Sequence, residues 1–319
     1  MTVVVVALGQ VEPDLVEPYL PEGARVVADP GPDELAAAVG ALVRADVLVD
    51  SDLLSRMPRL RVLARTGVGT DRVDVPAATA RGIPVVITPG SGTGAVAEGA
   101  MALALCLVKR LRVTTDLVRE GRWPERSALA LGDLSGATMG ILGYGRIGCA
   151  TARLADAFGM RVLAHDPFAP VTPPAVPATL EQVLTRSDVI SLHLPLTPEN
   201  RHLVDEARLA RAKRGAILVN CGRGGLVDLD ATYDALRAGR LGGVGLDVYD
   251  PEPPEHHPLF DHPDVVLTPH LMGMTRRATA LTYADAARGI TAVLSGQPPA
   301  AVANPDWTHH HRNPPRSTP

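Results

Sequence analysis

Apolar runs of strand length recur along the chain at residues 3–7, 47–49, 62–64, 139–142, 161–164, 189–192, 216–219, 243–246 and 265–267. They alternate almost throughout with Ala/Leu/Arg-rich stretches of helical pattern. Such alternation predicts parallel sheets with crossover helices, an α/β fold. Two of the helical patterns are long: 95–108, apolar apart from Glu98, and 275–294.

Across 319 residues the alternation falls into two blocks, one covering about 1–98 and the other beginning near 99. The helix at 275–294 follows the last strand and is expected to return to the first block. The pattern therefore predicts two doubly wound parallel-sheet domains. One is discontinuous, formed by 1–98 and 272–304, and the other is 99–271. The polar, proline-containing end at 305–319, with its histidines, is expected to be a mobile tail.

Residues 139–168 read MGILGYGRIGCATARLADAFGMRVLAHDPF. A buried strand breaks at Gly143, Gly145 and Gly148 and recovers as a helix over 146–158, with Ile147, Leu154 and Phe158 along one face and Gly159 as its C-terminal cap. A second strand then ends at Asp166. In this context G-x-G-x-x-G is a dinucleotide-binding turn: Gly143 allows the tight turn, Gly145 the approach of backbone to a pyrophosphate, and Gly148 close packing of helix on strand. The first-turn N–H groups and the helix dipole favour the phosphate charge. Asp166 is placed to accept both ribose hydroxyls. It would repel a 2′-phosphate, and Pro167 and Phe168 supply no cation, so NAD is expected rather than NADP.

Composition narrows the remaining classes. Aromatics make up only 3% of the chain, so Val, Leu, Ile and Ala must fill the core. The net charge is −4 and no long basic run exists, which argues against nucleic acid as a partner. Cys106, Cys149 and Cys221 show no paired spacing, so neither a zinc site, another metal site nor a disulfide framework is expected, and a reduced, cytoplasmic setting fits. The opening MTVVVVALG lacks a basic leader region and reads as a first strand rather than a signal peptide. The apolar stretch 95–108 falls short of the ~20 residues that a membrane span requires.

Three later segments place polar residues just after strands: NCGRGGLVD with Arg223, GLDVYDPEPP with Asp247 and Glu252, and LTPHLMG with His270. Open α/β sheets bind ligands at the carboxyl ends of their strands. An Arg, a Glu and a His there suit a carboxylate clamp, an orienting carboxylate and a proton-transfer group. With RTGVGTDRVD (65–74), VAE (96–98), GYGRIG and HLPLTPENRHLVD (193–205), these segments resemble the D-isomer-specific 2-hydroxyacid dehydrogenases over about residues 46–305.

The resemblance implies a Rossmann NAD-binding domain at 99–271 and a flavodoxin-like substrate domain. It also implies roles: His270 as general acid/base, Glu252 as its partner, and Arg223 on the substrate carboxylate and carbonyl. Arg146 and Ile147 would meet the pyrophosphate and Asp247 the nicotinamide carboxamide. Asn200, Cys221, Gly222 and Gly273 would lie along the cofactor, with Cys221 a neutral wall rather than a nucleophile. Val68 and Gly69 would offer backbone N–H groups to the carboxylate, and Arg65 matches a cation of the phosphoglycerate subgroup. The chain departs from its relatives at Thr88 and Gly92 in the substrate loop, and carries Asp50 where that subgroup has a further Arg. A small 2-oxo or 2-hydroxy acid without a distal phosphate is the expected substrate, and a homodimer through helices near 99–130 the expected assembly. Two alternatives remain open: an NAD-sensing corepressor-like binding protein of the same fold, and a formate or phosphite dehydrogenase-type enzyme.

Overall fold

The computed structural model describes residues 3–308. The histidines expected in a mobile tail lie outside the described residues. The chain divides into two compact units: one runs through Gly92 and resumes at Arg276, and the other is Thr93–Thr275. The division keeps two helices whole. Thr93–Val108 belongs to the second unit, and Arg276–Leu294 to the first.

The first unit is built on β1 (Val3–Leu8), β2 (Ala24–Ala28), β3 (Gly40–Val43), β4 (Val62–Arg65) and β5 (Val85–Val86), in the order β2-β1-β3-β4-β5. Every pairing is parallel. The helix Arg276–Leu294 covers one face, laying Tyr283, Ala286, Ala287 and Ile290 on Val5, Leu42 and Val62. Leu35, Leu54 and Ala78, from shorter helices, pack with Val6, Val43 and Leu63 on the other.

The strand expected at 47–49 is absent. The neighbouring run Gly40–Val43 takes its place between β1 and β4, and Val49 keeps only an isolated bridge to Val73. Both runs are apolar and of strand length. Only one can bond to two neighbours at once, and Asp50, just after the second run, instead caps the helix Ser51–Ser55 by accepting from the Leu53 N–H at 2.8 Å.

The second unit carries β6 (Thr138–Leu142), β7 (Arg161–His165), β8 (Val176–Pro177), β9 (Val189–Leu192), β10 (Ala216–Asn220), β11 (Leu241–Leu246) and β12 (Val265–Leu267). Their order is β12-β11-β10-β9-β6-β7-β8, all parallel. The winding reverses between β6 and β9, and the glycine turn follows β6. β6, β9 and β10 are buried along their whole lengths, as strands covered on both faces must be.

The helix Arg146–Ala157 packs against Thr93–Val108. Its buried face is Gly148, Thr151, Ala152 and Ala155, not the expected stripe of Ile147, Leu154 and Phe158; Phe158 is 43% exposed. Close approach to a second helix that presents Ala97, Ala100 and Ala104 selects small residues at the contact and moves the large ones to its rim. Among the described residues, no helix is long and apolar enough to cross a membrane.

Candidate active site

The strand order places the carboxyl ends of β6 and β9 on either side of a switch point, where the flanking helices depart to opposite faces. Gly143 holds φ at +91°, and a Cβ there would stand 2.7 Å from the His193 carbonyl oxygen. A Cβ on Gly148 would stand 2.1 Å from the Gly143 oxygen, so the turn closes only with both glycines. Gly145 is the N-cap of Arg146–Ala157, and a Cβ there would meet nothing within 4 Å. The first-turn N–H groups of Arg146, Ile147 and Gly148 have no intrahelical acceptor by helix geometry. This open cradle at a helix N-terminus fits a pyrophosphate.

Asp166 lies at the end of β7 and is tied to the glycine turn. Its Oδ2 accepts from the Tyr144 N–H at 2.7 Å, and its Oδ1 from those of Phe168 and Ala169 at 2.8 and 2.9 Å. Burial pushes its pKa up, but the three N–H groups, with His165 nearby, outweigh that and hold the carboxyl below its ordinary range. The acid is therefore ionised. It has also spent much of its acceptor capacity on backbone, a structural duty that the motif does not reveal.

His193, just beyond β9, is neutral. Burial lowers its pKa to about 4, and its Nε2 lies 2.9 Å from Ser191 Oγ. Asn200 holds its own loop: its Oδ1 accepts from the Thr197 N–H at 2.7 Å, and its Nδ2 donates to the Pro195 carbonyl at 2.8 Å. Cys221 is 8% exposed, and burial, with Asp247 adding to it, pushes its thiol up to about 12, which makes it an inert wall.

At the ends of β10, β11 and β12 three loops converge. Asn220, fully buried, is the pin of the first. Its Oδ1 accepts from the Gly222 N–H at 3.0 Å, and its Nδ2 donates to the Arg223 carbonyl at 2.9 Å. Arg223 is half-buried and donates through Nη1 to the Gly222 carbonyl at 2.9 Å. A Cβ on Gly224 would fall 2.0 Å from the Tyr249 carbonyl carbon. The Arg223 loop and the Glu252 loop can approach this closely only at a glycine.

Glu252 accepts from the Tyr249 N–H through Oε1 at 3.0 Å and faces His270 Nδ1, with Oε2 at 2.8 Å. His270 stands at φ +54°, in the left-handed region that non-glycine residues seldom adopt. Buried Asp247 holds this turn: Oδ1 accepts from the Thr268 hydroxyl at 2.7 Å and the Leu271 N–H at 2.9 Å, and Oδ2 from the Met272 N–H at 3.2 Å. Tyr249 adds a hydrogen bond from its hydroxyl to the Thr268 carbonyl at 3.0 Å. Sequence reasoning gave no role to Asn220, Tyr249 or Thr268, although all three lie within or beside the motifs. Gly273 follows in the same loop, beside Val96.

The electrostatics suit proton transfer. The hydrogen bond to Glu252 raises the pKa of His270. Desolvation and Arg223 oppose it, while the Glu252 and Asp247 charges add to it. Burial pushes Glu252 up, but the hydrogen bond from His270, the Tyr249 N–H and nearby Arg223 bring it below its ordinary value. With Nδ1 engaged, Nε2 is the ring nitrogen left for a ligand. A cavity of about 310 Å³ is lined by His270, Glu252, Tyr249, Leu267 and Thr268 among others. In the first unit, the loop after β4 carries Gly69 and an exposed Val68, while Arg65 beneath it is 5% exposed.

Residues 101–272 match the family model for the NAD-binding domain of D-isomer specific 2-hydroxyacid dehydrogenases. A D-3-phosphoglycerate dehydrogenase from Mycobacterium bovis is 41% identical over 86% of this chain and 53% of its own length. This chain thus spans about half the length of the phosphoglycerate relatives it matches. A glyoxylate reductase from Thermofilum pendens is 38% identical over 80% of this chain and 78% of its own length. Among solved structures, a D-lactate dehydrogenase from Aquifex aeolicus, complexed with NAD and lactic acid, aligns with a TM-score of 0.79 and 29% identity, covering 92% of this chain and 96% of that one.

Proposed function

Because this chain belongs to the D-isomer-specific 2-hydroxyacid dehydrogenase family, we propose that it interconverts a small 2-oxo acid and its D-2-hydroxy acid, with His270 as general acid/base. The observation that carries this reading is the 2.8 Å hydrogen bond between His270 Nδ1 and Glu252, in a turn anchored to buried Asp247. Bound NAD supplies or takes up the hydride at its nicotinamide ring. Arg223 clamps the carboxylate and draws charge from the carbonyl oxygen. In reduction, the Nε2 proton of His270 passes to that oxygen, and Glu252 stabilises the ring while it is charged.

The cofactor contacts we propose are Gly143, Gly145, Arg146, Ile147 and Gly148 on the pyrophosphate and Asp166 on the ribose. Asp247, Asn200, Cys221, Gly222 and Gly273 complete the path. Asp247 would serve the carboxamide with whatever acceptor capacity the turn leaves it. Val68 and Gly69 are proposed for the substrate carboxylate. A homodimer through the helical region is supported by Leu111, Val118 and Trp123, each at least half exposed there. The test is a steady-state assay with NADH and a panel of 2-oxo acids. Turnover of none of them would overturn the reading.

We place the substrate among acids without a distal phosphate, such as glyoxylate, hydroxypyruvate or a somewhat larger 2-oxo acid. Asp50 supports this, since its carboxylate is committed to a helix cap at the position of the subgroup's cation.

Cofactor choice should follow the charge of Asp166. Asp166→Asn keeps an acceptor for the Phe168 and Ala169 N–H groups but removes the anion that repels a 2′-phosphate. The ratio of kcat/KM for NADH over NADPH should fall by roughly tenfold, about 1.4 kcal/mol. An unchanged ratio would rule out the charge as selector.

The pH profile should report the His270–Glu252 pair. Reduction needs the imidazolium, so it fades as pH rises through the His270 pKa; oxidation needs the neutral ring and fades as pH falls through it. Glu252 raises that pKa, so Glu252→Gln should lower it and move both limbs to lower pH. Limbs that stay in place in the variant would show that Glu252 does not tune the ring.

A further inference from the structure

Arg65 closes β4 and is 5% exposed, a buried guanidinium that reaches two backbone carbonyls. Its Nε donates to the Gly69 carbonyl at 2.7 Å and its Nη1 to the Val43 carbonyl at 3.1 Å. The Thr66 N–H and hydroxyl also reach Val43 O, at 3.0 and 3.2 Å. From the loop after β5, the Thr88 N–H holds the Gly67 carbonyl at 3.0 Å. The loop 66–69 is therefore fastened at two of its carbonyls, with Gly67 at φ +147° making the bend just before the first of them.

These fastenings decide where the loop's N–H groups point. In a trans peptide the carbonyl and the following N–H are directed oppositely. The inward Gly67 carbonyl turns the Val68 N–H outward, and the inward Gly69 carbonyl does the same for the Thr70 N–H. The Gly69 N–H lies between the two held peptides. None of these three N–H groups donates to an acceptor among the described residues, and the Val68 side chain is 55% exposed. Successive outward N–H groups of this kind make an anion-binding concavity.

We propose that Arg65 is a positioning residue: by holding the Gly69 carbonyl it orients the 68–70 N–H groups toward the substrate carboxylate, rather than offering its charge to a distal phosphate. This deepens the functional reading above and rests on it for the identity of the ligand. Arginine suits the task because its planar fork reaches two carbonyls from one fixed position. A lysine would bring a single ammonium on a flexible stem to the same buried space and could not brace both carbonyls from one fixed position. The carboxylate is common to every 2-oxo acid, so loss of the brace must weaken all of them alike.

The experiment compares Arg65→Lys with the unmodified protein in two ways. Steady-state reduction is measured with hydroxypyruvate and with its 3-phosphorylated counterpart, and amide hydrogen exchange is followed without substrate. The expected result is a KM raised by about tenfold to a hundredfold, by the same factor for both acids, with kcat much less affected. Exchange of the Thr88 N–H, which is protected by its bond to the loop's Gly67 carbonyl, should quicken while the helix Arg276–Leu294 is unchanged. A KM increase confined to the phosphorylated acid would identify Arg65 as a phosphate cation and overturn the proposal, as would unaltered exchange of the Thr88 N–H. If the unmodified protein turns over no member of the 2-oxo acid panel but exchange of the Thr88 N–H quickens as expected, the brace stands and the enzymatic reading falls.

Discussion

Replacing His270 by asparagine should lower kcat by about 10²- to 10⁴-fold, the usual contribution of a positioned general acid or base. Asparagine is the informative substitution because position 270 lies at φ +54°. Asn tolerates the left-handed region better than most residues, so the turn held by Asp247 should survive. Alanine would mix a loss of chemistry with a loss of backbone geometry. The amide can still hydrogen-bond Glu252 but has no proton to give at neutral pH. Two further readouts separate chemistry from folding. NADH affinity should change by less than about threefold, because the cradle at Gly143–Gly148 lies on other strands, and the residual rate should lose the pH limb assigned to the imidazole. Retention of kcat within tenfold, with the limb intact, would show that another group transfers the proton.

Arg223→Lys should cost roughly 10²- to 10³-fold in kcat/KM, equivalent to about 3–4 kcal/mol of transition-state stabilisation. The charge is kept, so the experiment isolates geometry. Arg223 is held by its own main chain, with its carbonyl on Asn220 Nδ2 and Nη1 on the Gly222 carbonyl, which fixes the plane of the fork. A carboxylate and an adjacent carbonyl oxygen can then be met by parallel N–H groups. A lysine ammonium presents one hydrated point charge on a flexible stem and cannot serve both oxygens from one position. kcat and KM should both worsen, since the clamp acts on the bound acid and on the charge that develops during reduction. Asn220→Asp should give a milder loss of the same kind, by removing the Nδ2 donor behind the clamp. Near-normal turnover of the best substrate by Arg223→Lys would remove Arg223 from its assigned place.

The sequence alone determined what local chemistry can encode. Alternating apolar runs and helical stretches specified parallel α/β domains, because strand and helix differ in period and a parallel pair requires a crossover. The glycines at 143, 145 and 148 marked the turn, because few other side chains permit its backbone. Arg223, Glu252 and His270 were legible as a set because each follows a strand, and strand ends face one crevice in such a sheet. The tertiary structure decided everything that depends on which neighbours compete for a partner. Runs 40–43 and 47–49 are equally apolar, and pairing with both β1 and β4 chose the first. The helix Arg146–Ala157 buries Thr151 and Ala155 rather than Phe158, because another helix crosses there. Asp166, Asp247 and Arg65 read as ligand contacts in one dimension, yet in the fold each is engaged by backbone groups from a turn that it holds in place. A hydrogen-bonding group's type is written in the chain; its allocation is settled only when burial brings distant donors and acceptors within 3 Å and leaves no water to take their place.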